Sequence, residues 1–251
     1  MKIVIISDLH ANTEALRVLP RDYDQLWILG DLVNYGPNPA EVVAFARDRA
    51  SVVIRGNHDH SVGFGKDPRC SAPFRAMARA TGFYTSCVLG ERDKQYLRDL
   101  PTHAELAVDG VRFLAYHAVP TNPLYEYCPA DSDHWRDEIA DLPADILLVG
   151  HTHLPFQRRI GSKLIVNPGS LGQPKHGRAE ACYAVWDGSS IHLKTAPYDV
   201  EETVRKTQGL PIPAEIRDDL AAVLRHGGIP RPTQLVARAA GSSYDRPHQW
   251  L

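Results

Sequence analysis

Residues 2–10, KIVIISDLH, decide how this chain is read. A run of strand-forming aliphatics ends at Ser7, and two residues of metal-binding type, Asp8 and His10, follow at once. The pattern recurs twice within the next fifty residues. QLWILGD (25–31) brings Asp31 to the end of a second apolar run, and SVVIRGNHD (51–59) brings Asn57 and His58 to the end of a third. Between the runs, Asn12 to Leu19 reads as a helix with Ala15, Leu16 and Leu19 on one side, and Asn38-Pro39 offers a cap and a first residue for a helix reaching about Arg49. Strands joined by helical crossovers form a parallel sheet, and such a sheet gathers its functional loops at the carboxyl edge.

The pattern continues outward. VRFLAYH (111–117) ends in His117, and ILLVGHTH (146–153) ends in His151 and His153. Seven residues of ligand type therefore close five apolar runs. Asp8 and His10 are two residues apart, where an extended backbone turns both side chains the same way. Asp31 follows Gly30, which permits a tight turn, and a carboxylate there has lone pairs for two cations. Asn57 offers a neutral carbonyl oxygen that suits a hard or borderline metal. Two imidazoles at i and i+2 after a buried strand have few structural uses, whereas His117 alone would read as a satisfied core histidine.

The other segments are less eventful. Ser61 to Leu100 lacks strand character: SVGFGKDPRCSAP reads as a surface loop, followed by helices near Phe74 to Val88 and Glu91 to Leu100. This insertion reads equally as a lid and as a packing appendage. Ala104 to Val108 and Val111 to Tyr116 form a hairpin about Asp109-Gly110. The runs near 156–160, 164–167, 182–186 and 191–195 read as an antiparallel meander in a second sheet. Asp199 and Glu202 suggest a capping box for a helical C-terminal extension (199–251) that ends in a loop-like tail, GIPRPTQLVARAAGSSYDRPHQWL. With no long linker or internal repeat, the 251 residues read as one domain.

Composition excludes some classes. The 28 basic and 30 acidic residues are dispersed and leave a net charge of -2, so there is no strong nucleic-acid signal and no attraction to an anionic membrane. Four widely spaced cysteines fit reduced thiols, and the absence of a leader or an apolar span gives a cytoplasmic expectation.

The ordered series Asp8-x-His10, Gly30-Asp31-x4-Gly36, Gly56-Asn57-His58-Asp59, His117 and Gly150-His151-x-His153 resembles the calcineurin-like metallophosphoesterase superfamily, from residue 3 to about 198. The resemblance implies a four-layer α/β/β/α sandwich of two mixed sheets carrying a dinuclear metal centre. Asp8, His10 and His153 would hold one cation, Asn57, His117 and His151 the other, and Asp31 would bridge them. Two cations about 3.5–4 Å apart would share a hydroxide for in-line attack on phosphorus. His58, outside the ligand set, would stabilise the phosphoryl oxygens or protonate the leaving group. The mixed N/O set accepts Mn²⁺, Fe, Ni²⁺ or Zn²⁺.

The chain departs from the pattern at one place. Protein phosphatases and symmetrical dinucleoside tetraphosphatases of the superfamily have Asp-Arg-Gly where this chain has Asn34-Tyr35-Gly36. Losing the phosphate-gripping Arg weakens the case for phosphoprotein or dinucleotide substrates. Asn34 would orient His58 as a neutral acceptor, and Tyr35 would offer a hydroxyl or a stacking face, or pack as an exposed loop aromatic. Asn167-Pro168-Gly169-Ser170 reads as a structural turn. Lys175, His176 and Arg178 could reach substrate phosphate but read as a solvated basic loop, and Asp131 to His134 could imitate a metal site but read as the cap of a helix carrying Trp135 and Ile139. The expectation is a phosphodiesterase or broad phosphoesterase for a small substrate. The alternatives are a non-catalytic metal-binding scaffold of the same fold, a dinucleoside polyphosphate hydrolase or a phosphoprotein phosphatase. The oligomeric state is left open.

Overall fold

The structure is a computed structural model and describes residues 1–228, so the expected loop-like tail lies outside the described residues apart from its first glycine. β1 (Ile3–Ile6) is four buried β-branched residues, stiff side chains that favour a pleated strand. Its two faces are both covered. Ile3 and Ile5 pack with Trp27, Leu29, Phe113, Leu148 and Val166 between two sheets, whereas Val4 and Ile6 pack with Val42, Val43, Ala46 and Leu97 under helices. A period of two thus assigns each side chain to its layer.

In the first sheet β1 lies parallel to β2 (Gln25–Ile28), and β2 lies parallel to β3 (Val52–Val53). β9 (Glu180–Trp186) pairs antiparallel with the other edge of β1, and β10 (Ile191–Pro197) with β9. The second sheet contains β4 (His103–Val108), β5 (Val111–Tyr116), β6 (Ile146–Leu148), β7 (Phe156–Ile160) and β8 (Lys163–Asn167), in the order β4-β5-β6-β8-β7. Here β5, β6 and β8 run parallel. Both sheets are therefore mixed. α1 (Thr13–Leu16), α2 (Pro39–Arg49), α3 (Asn57–Phe64) and α5 (Glu91–Asp99) contribute apolar residues to the layer outside the first sheet. α6 (His134–Ile139) sets Trp135 and Ile139 against Leu114, Leu147, Val149 and Ile165 outside the second. This is the four-layer α/β/β/α sandwich that the sequence implies.

The expected meander is corrected. β7–β8 and β9–β10 are two hairpins in different sheets, because β8 finds a parallel partner in β6 and β9 an antiparallel one in β1. α1 is shorter than the reading of Asn12 to Leu19. Arg17, Val18 and Leu19 donate to carbonyls two or three residues back rather than four, and Pro20 biases the preceding residue away from helix. Ser61 to Phe64 belong to α3, so the insertion loop begins at Gly65. α4 (Arg75–Val88) packs Phe74, Met77 and Ala78 against Leu210, Ile212, Leu220 and Val223, the last two on α8 (Ala214–His226), and α5 ties to α2 through Arg47 and Asp93 at 2.8 Å. The insertion is thus held on two sides.

α7 (Val200–Gln208) starts at Asp199, which accepts from the Glu202 N–H at 2.9 Å. Only half of the capping box forms, because the Glu202 carboxylate turns to Arg205. At α6 the cap is likewise partial: Ser132 Oγ accepts from the His134 N–H, and Asp133 makes no side-chain cap. Asp109 (φ 52°) and Gly110 (φ 81°) form the expected tight hairpin turn. The four cysteines are free, and among the described residues no helix is long and apolar enough to cross a membrane.

Candidate metal centre

Every predicted ligand leaves a strand at the carboxyl edge of one of the sheets. Asp8 follows β1, Asp31 follows β2, Asn57 opens α3 just beyond β3, His117 follows β5, and His151 and His153 follow β6. All seven are at most 2% exposed. The backbone at the first block is not extended as the two-residue spacing suggested: Asp8 (φ 53°), His10 (φ 45°) and Ala11 (φ 51°) are left-handed. The chain curls there because the N–H groups of Asp8, His10 and Ala11 donate to the carbonyls of Gly30, Asp31 and Leu32. Curling, rather than pleating, aims the side chains.

Asp8, His10 and His153 form one cluster. His10 Nδ1 lies 3.0 Å from the Val33 carbonyl and His153 Nδ1 lies 2.6 Å from that of Gln173, contacts that place each ring proton on Nδ1. Both Nε2 atoms then present lone pairs, 3.2 Å apart. Asp8 Oδ1 sits 3.3 Å from His153 Nε2 and has no hydrogen-bond partner. Burial holds both imidazoles well below their ordinary pKa, keeping them neutral. Burial, with the Asp31 charge nearby, pushes Asp8 up. Two imidazole lone pairs and a buried, unpartnered carboxylate oxygen converging on one place fit a cation.

Asp31, His117 and His151 form the second cluster. His117 Nδ1 donates to the Leu29 carbonyl at 2.7 Å, and Nε2 faces Asn57 Oδ1 at 3.1 Å. His151 Nδ1 lies 3.1 Å from the same oxygen. Asn57 can offer only that oxygen, because its Nδ2 is committed to the Pro68 carbonyl at 2.7 Å. Burial opposes a charge on His117, but Asp31 and Asp8 outweigh it and lift the imidazole to about 9. Burial likewise opposes the Asp31 carboxylate, yet His117 and His58 hold it well below the usual range.

Asp31 joins the clusters. Its Oδ2 is 3.8 Å from His10 Nε2 and 3.4 Å from His117 Nε2, while Oδ1 accepts from the His58 N–H at 2.8 Å. Asp59, the last residue of the third motif, anchors this carboxylate. It accepts from the N–H groups of Asp31, Leu32 and Gly56 at 2.8, 2.8 and 2.9 Å, fastening the second motif to the third. An Asp following His58 at a helix start was the available signal.

His58 is buried beside His10 and Tyr35, with ring centroids 5.1 and 4.8 Å away. Burial lowers it to about 4, with Lys175 and His117 acting in the same direction and Asp31 opposing. Asn34 meets it differently from the reading as an acceptor: the amide nitrogen lies 2.9 Å from Nδ1 and donates to it. The neutral ring then carries its proton on Nε2. Tyr35 is 2% exposed, so it is a buried aromatic and not an exposed one. Its N–H donates to Thr81 Oγ1 of α4, and its ring packs on His10, His58 and Phe74.

Asn167 accepts from the Gly169 N–H and donates to the Gly150 carbonyl, so the turn after β8 braces the His151 block. In the basic loop, Arg178 is exposed and His176 rests on the Cys182 sulfur, but Lys175 is half-buried with its Nζ 4.1 Å from the Phe74 ring centroid. Tyr127 lies against His151 with centroids 4.0 Å apart and is 40% exposed. The half-buried placement of Lys175 departs from the solvated-loop reading, and the sequence offered no signal for Tyr127.

The family profile described as calcineurin-like phosphoesterase superfamily domain matches residues 1–190. The chain belongs to this superfamily. An uncharacterized protein of Methanocaldococcus jannaschii, MJ0912, is 30% identical over 227 residues, covering 81% of this chain and 90% of that protein. The crystal structure of a metallophosphoesterase from Sphaerobacter thermophilus aligns with a TM-score of 0.75 at 29% identity, covering 88% of this chain and 99% of the other. A symmetrical bis(5'-nucleosyl)-tetraphosphatase of Thioalkalivibrio sulfidiphilus is 53% identical over only 38 residues, 14% of each chain. The two buried Asp/His clusters fit a dinuclear divalent metal site.

Proposed function

We propose that this protein is a metal-dependent phosphohydrolase acting on a small phosphoester, with phosphodiesters its preferred class. The observation that carries this reading is Asp31 Oδ2, set between a histidine of each cluster. Asp8, His10 and His153 hold one divalent cation, Asn57, His117 and His151 the other, and Asp31 is shared. Bound there, the cations supply an activated water at neutral pH and neutralise charge building on the phosphoryl oxygens. The protein's own contribution is alignment. The carbonyls of Val33, Gln173 and Leu29 fix three imidazole tautomers, and Asp59 fixes the shared carboxylate. His58, neutral with its proton on Nε2, is suited to donating to a phosphoryl oxygen or to the leaving alkoxide.

The test is to strip the protein of metal and restore Mn²⁺, Fe²⁺, Ni²⁺ or Zn²⁺ singly. Hydrolysis of an aryl phosphodiester, an aryl phosphomonoester and a dinucleoside polyphosphate is then compared for wild type and His58→Ala. Turnover should return with at least one cation and fall sharply in the variant. If no cation restores activity on any of the three, the hydrolase reading fails. A variant as fast as wild type removes His58 from the chemistry.

A further inference from the structure

A lysine that has no carboxylate partner among the described residues stands beside the candidate metal centre. Lys175 lies in the loop between β8 and β9, two residues past Gln173, whose carbonyl accepts from the His153 ring. That loop is fastened at both ends. Ser170 Oγ donates to the Asp8 carbonyl at 2.7 Å and accepts from the Gln173 N–H at 2.8 Å, and the Gly177 N–H donates to the Gly227 carbonyl at 2.7 Å. The half-buried ammonium rests 4.1 Å from the Phe74 centroid, and Phe74 in turn packs on Tyr35, which covers His10 and His58. Among the described residues no carboxylate is paired with it. A long cationic side chain ordinarily extends its head into open water or toward an acid, whereas this one rests on an aromatic face within reach of the charges of Asp8 and Asp31.

We propose that Lys175 is a substrate-binding residue, its ammonium taking a non-bridging oxygen of the substrate phosphoryl group. The inference rests on the phosphohydrolase reading and sharpens it. Tyr35 places no charge in motif two, and the cation is delivered instead from the loop after β8, to the Phe74–Tyr35 corner of the site. An ammonium is a point charge and lacks the two-pronged grip of a guanidinium, so it suits the single negative charge of a phosphodiester. Burial pulls the ammonium down to about 8, with Asp8 and Asp31 opposing.

The experiment compares Mn²⁺-loaded wild type, Lys175→Met and Lys175→Arg. Methionine keeps the apolar stem against Phe74 and removes only the charge. Calorimetry with inorganic phosphate gives affinity, the aryl phosphodiester gives KM and kcat separately, and elemental analysis gives bound metal. Loss of one charge-assisted hydrogen bond should weaken phosphate binding about 10- to 100-fold in Lys175→Met, raise KM comparably and leave metal content unchanged, with Lys175→Arg recovering most of the affinity. Unchanged phosphate affinity in Lys175→Met overturns the assignment. So does a fall in its metal content, which would make Lys175 part of the metal site's own electrostatics. Should wild type bind phosphate yet hydrolyse no ester, the hydrolase reading falls while the phosphate arm still decides Lys175.

Discussion

Gly56→Ala adds one methyl group at the point where the second and third motifs touch. Gly56 has φ -91° and ψ 176°, an ordinary extended backbone, so alanine meets no conformational penalty. Its Cβ would lie 2.1 Å from Asp31 Oδ1 and 2.5 Å from the Asp31 nitrogen. Relief requires the shared carboxylate to move by more than about 1 Å, since nonbonded heavy atoms settle at about 3.5–4.0 Å. That movement breaks the 2.8 Å bond from the His58 N–H and carries Oδ2 away from His10 and His117. Overpacking costs about 1–3 kcal/mol and the charge-assisted bond about 1.5–3, offset by about 0.4–1 from the stiffer unfolded chain. The net is about 2–5 kcal/mol.

Gly90→Ala is the matched control. Gly90 also has an ordinary φ, -70°, and no atom lies within 4 Å of the added methyl. Both variants change the unfolded chain alike, so their difference isolates the contact with Asp31. With a urea m-value of about 3 kcal/mol/M, the midpoint of metal-free Gly56→Ala should fall by about 1 M while Gly90→Ala stays near wild type. Elemental analysis after equilibration with Mn²⁺ should find at least one cation missing from Gly56→Ala. If that variant unfolds with Gly90→Ala and keeps both cations, Asp31 is not held as described and the bridging assignment fails with it.

Other perturbations test separate parts of the argument. Chelation should lower the melting temperature by about 5–10 °C if the cation is present at 100 times its dissociation constant, while far-UV circular dichroism is retained; an unchanged melt would mean no cation is bound in the folded state. Asn34→Leu removes the donor to His58 Nδ1 and should cost up to about tenfold in kcat with metal content and KM preserved, so a change confined to KM would assign Asn34 to substrate binding. Lys206→Met leaves the buried Glu14 carboxylate, now 2.7 Å from the ammonium, with only Arg17 at 3.6 Å and the Thr13 hydroxyl, and should destabilise by about 1–2 kcal/mol in urea, a discount from a fully buried pair because Lys206 is partly exposed and Arg17 remains. Arg112→Met breaks an exposed ion pair with Asp145 and should cost under about 1 kcal/mol; a larger loss would contradict the weight given to burial throughout.

The ligand types were legible because each ends an apolar run, and sheets of this kind present their strand ends at one edge. Their grouping was not read from spacing. Asp8 and His153 are 145 residues apart in sequence order and meet only because β1 and β6 belong to different sheets packed face to face. Nor could the partners that orient them be foreseen: the carbonyls of Leu29, Val33, Pro68 and Gln173 belong to the backbone, which looks the same at every residue. The pairing of β7 to β10 failed for a related reason. Hairpin signals identify neighbours in sequence, whereas the choice of sheet depends on which strand edges β6 and β1 leave open. Lys175 was set aside because charge in a loop usually faces water, and only the Phe74 contact separates it from Arg178.

Strain and charge at this centre have a common consequence. Among the described residues ten non-glycine positions have left-handed backbone, and eight of them, Asp8, His10, Ala11, Asp31, Asn34, Tyr35, His151 and His153, lie in or beside the site motifs. Such conformations persist only where surroundings over-determine them, and here the zipped backbone of motifs one and two and the Asp59 clamp do so. The facing lone pairs of His10 and His153 and the unpartnered Asp8 oxygen add electrostatic cost to the metal-free fold. A flexible site would spread these acceptors apart, and each cation would then have to gather them. A rigid one keeps the repulsion in the folded protein, so that cation binding relieves it without rearrangement. On the proposed two-cation reading, affinity for metal follows from this rigid geometry, and weakening the clamp at Asp59 should reduce metal content, measured by elemental analysis, through the positions of Asp31 and Asn57 even though Asp59 is itself no ligand.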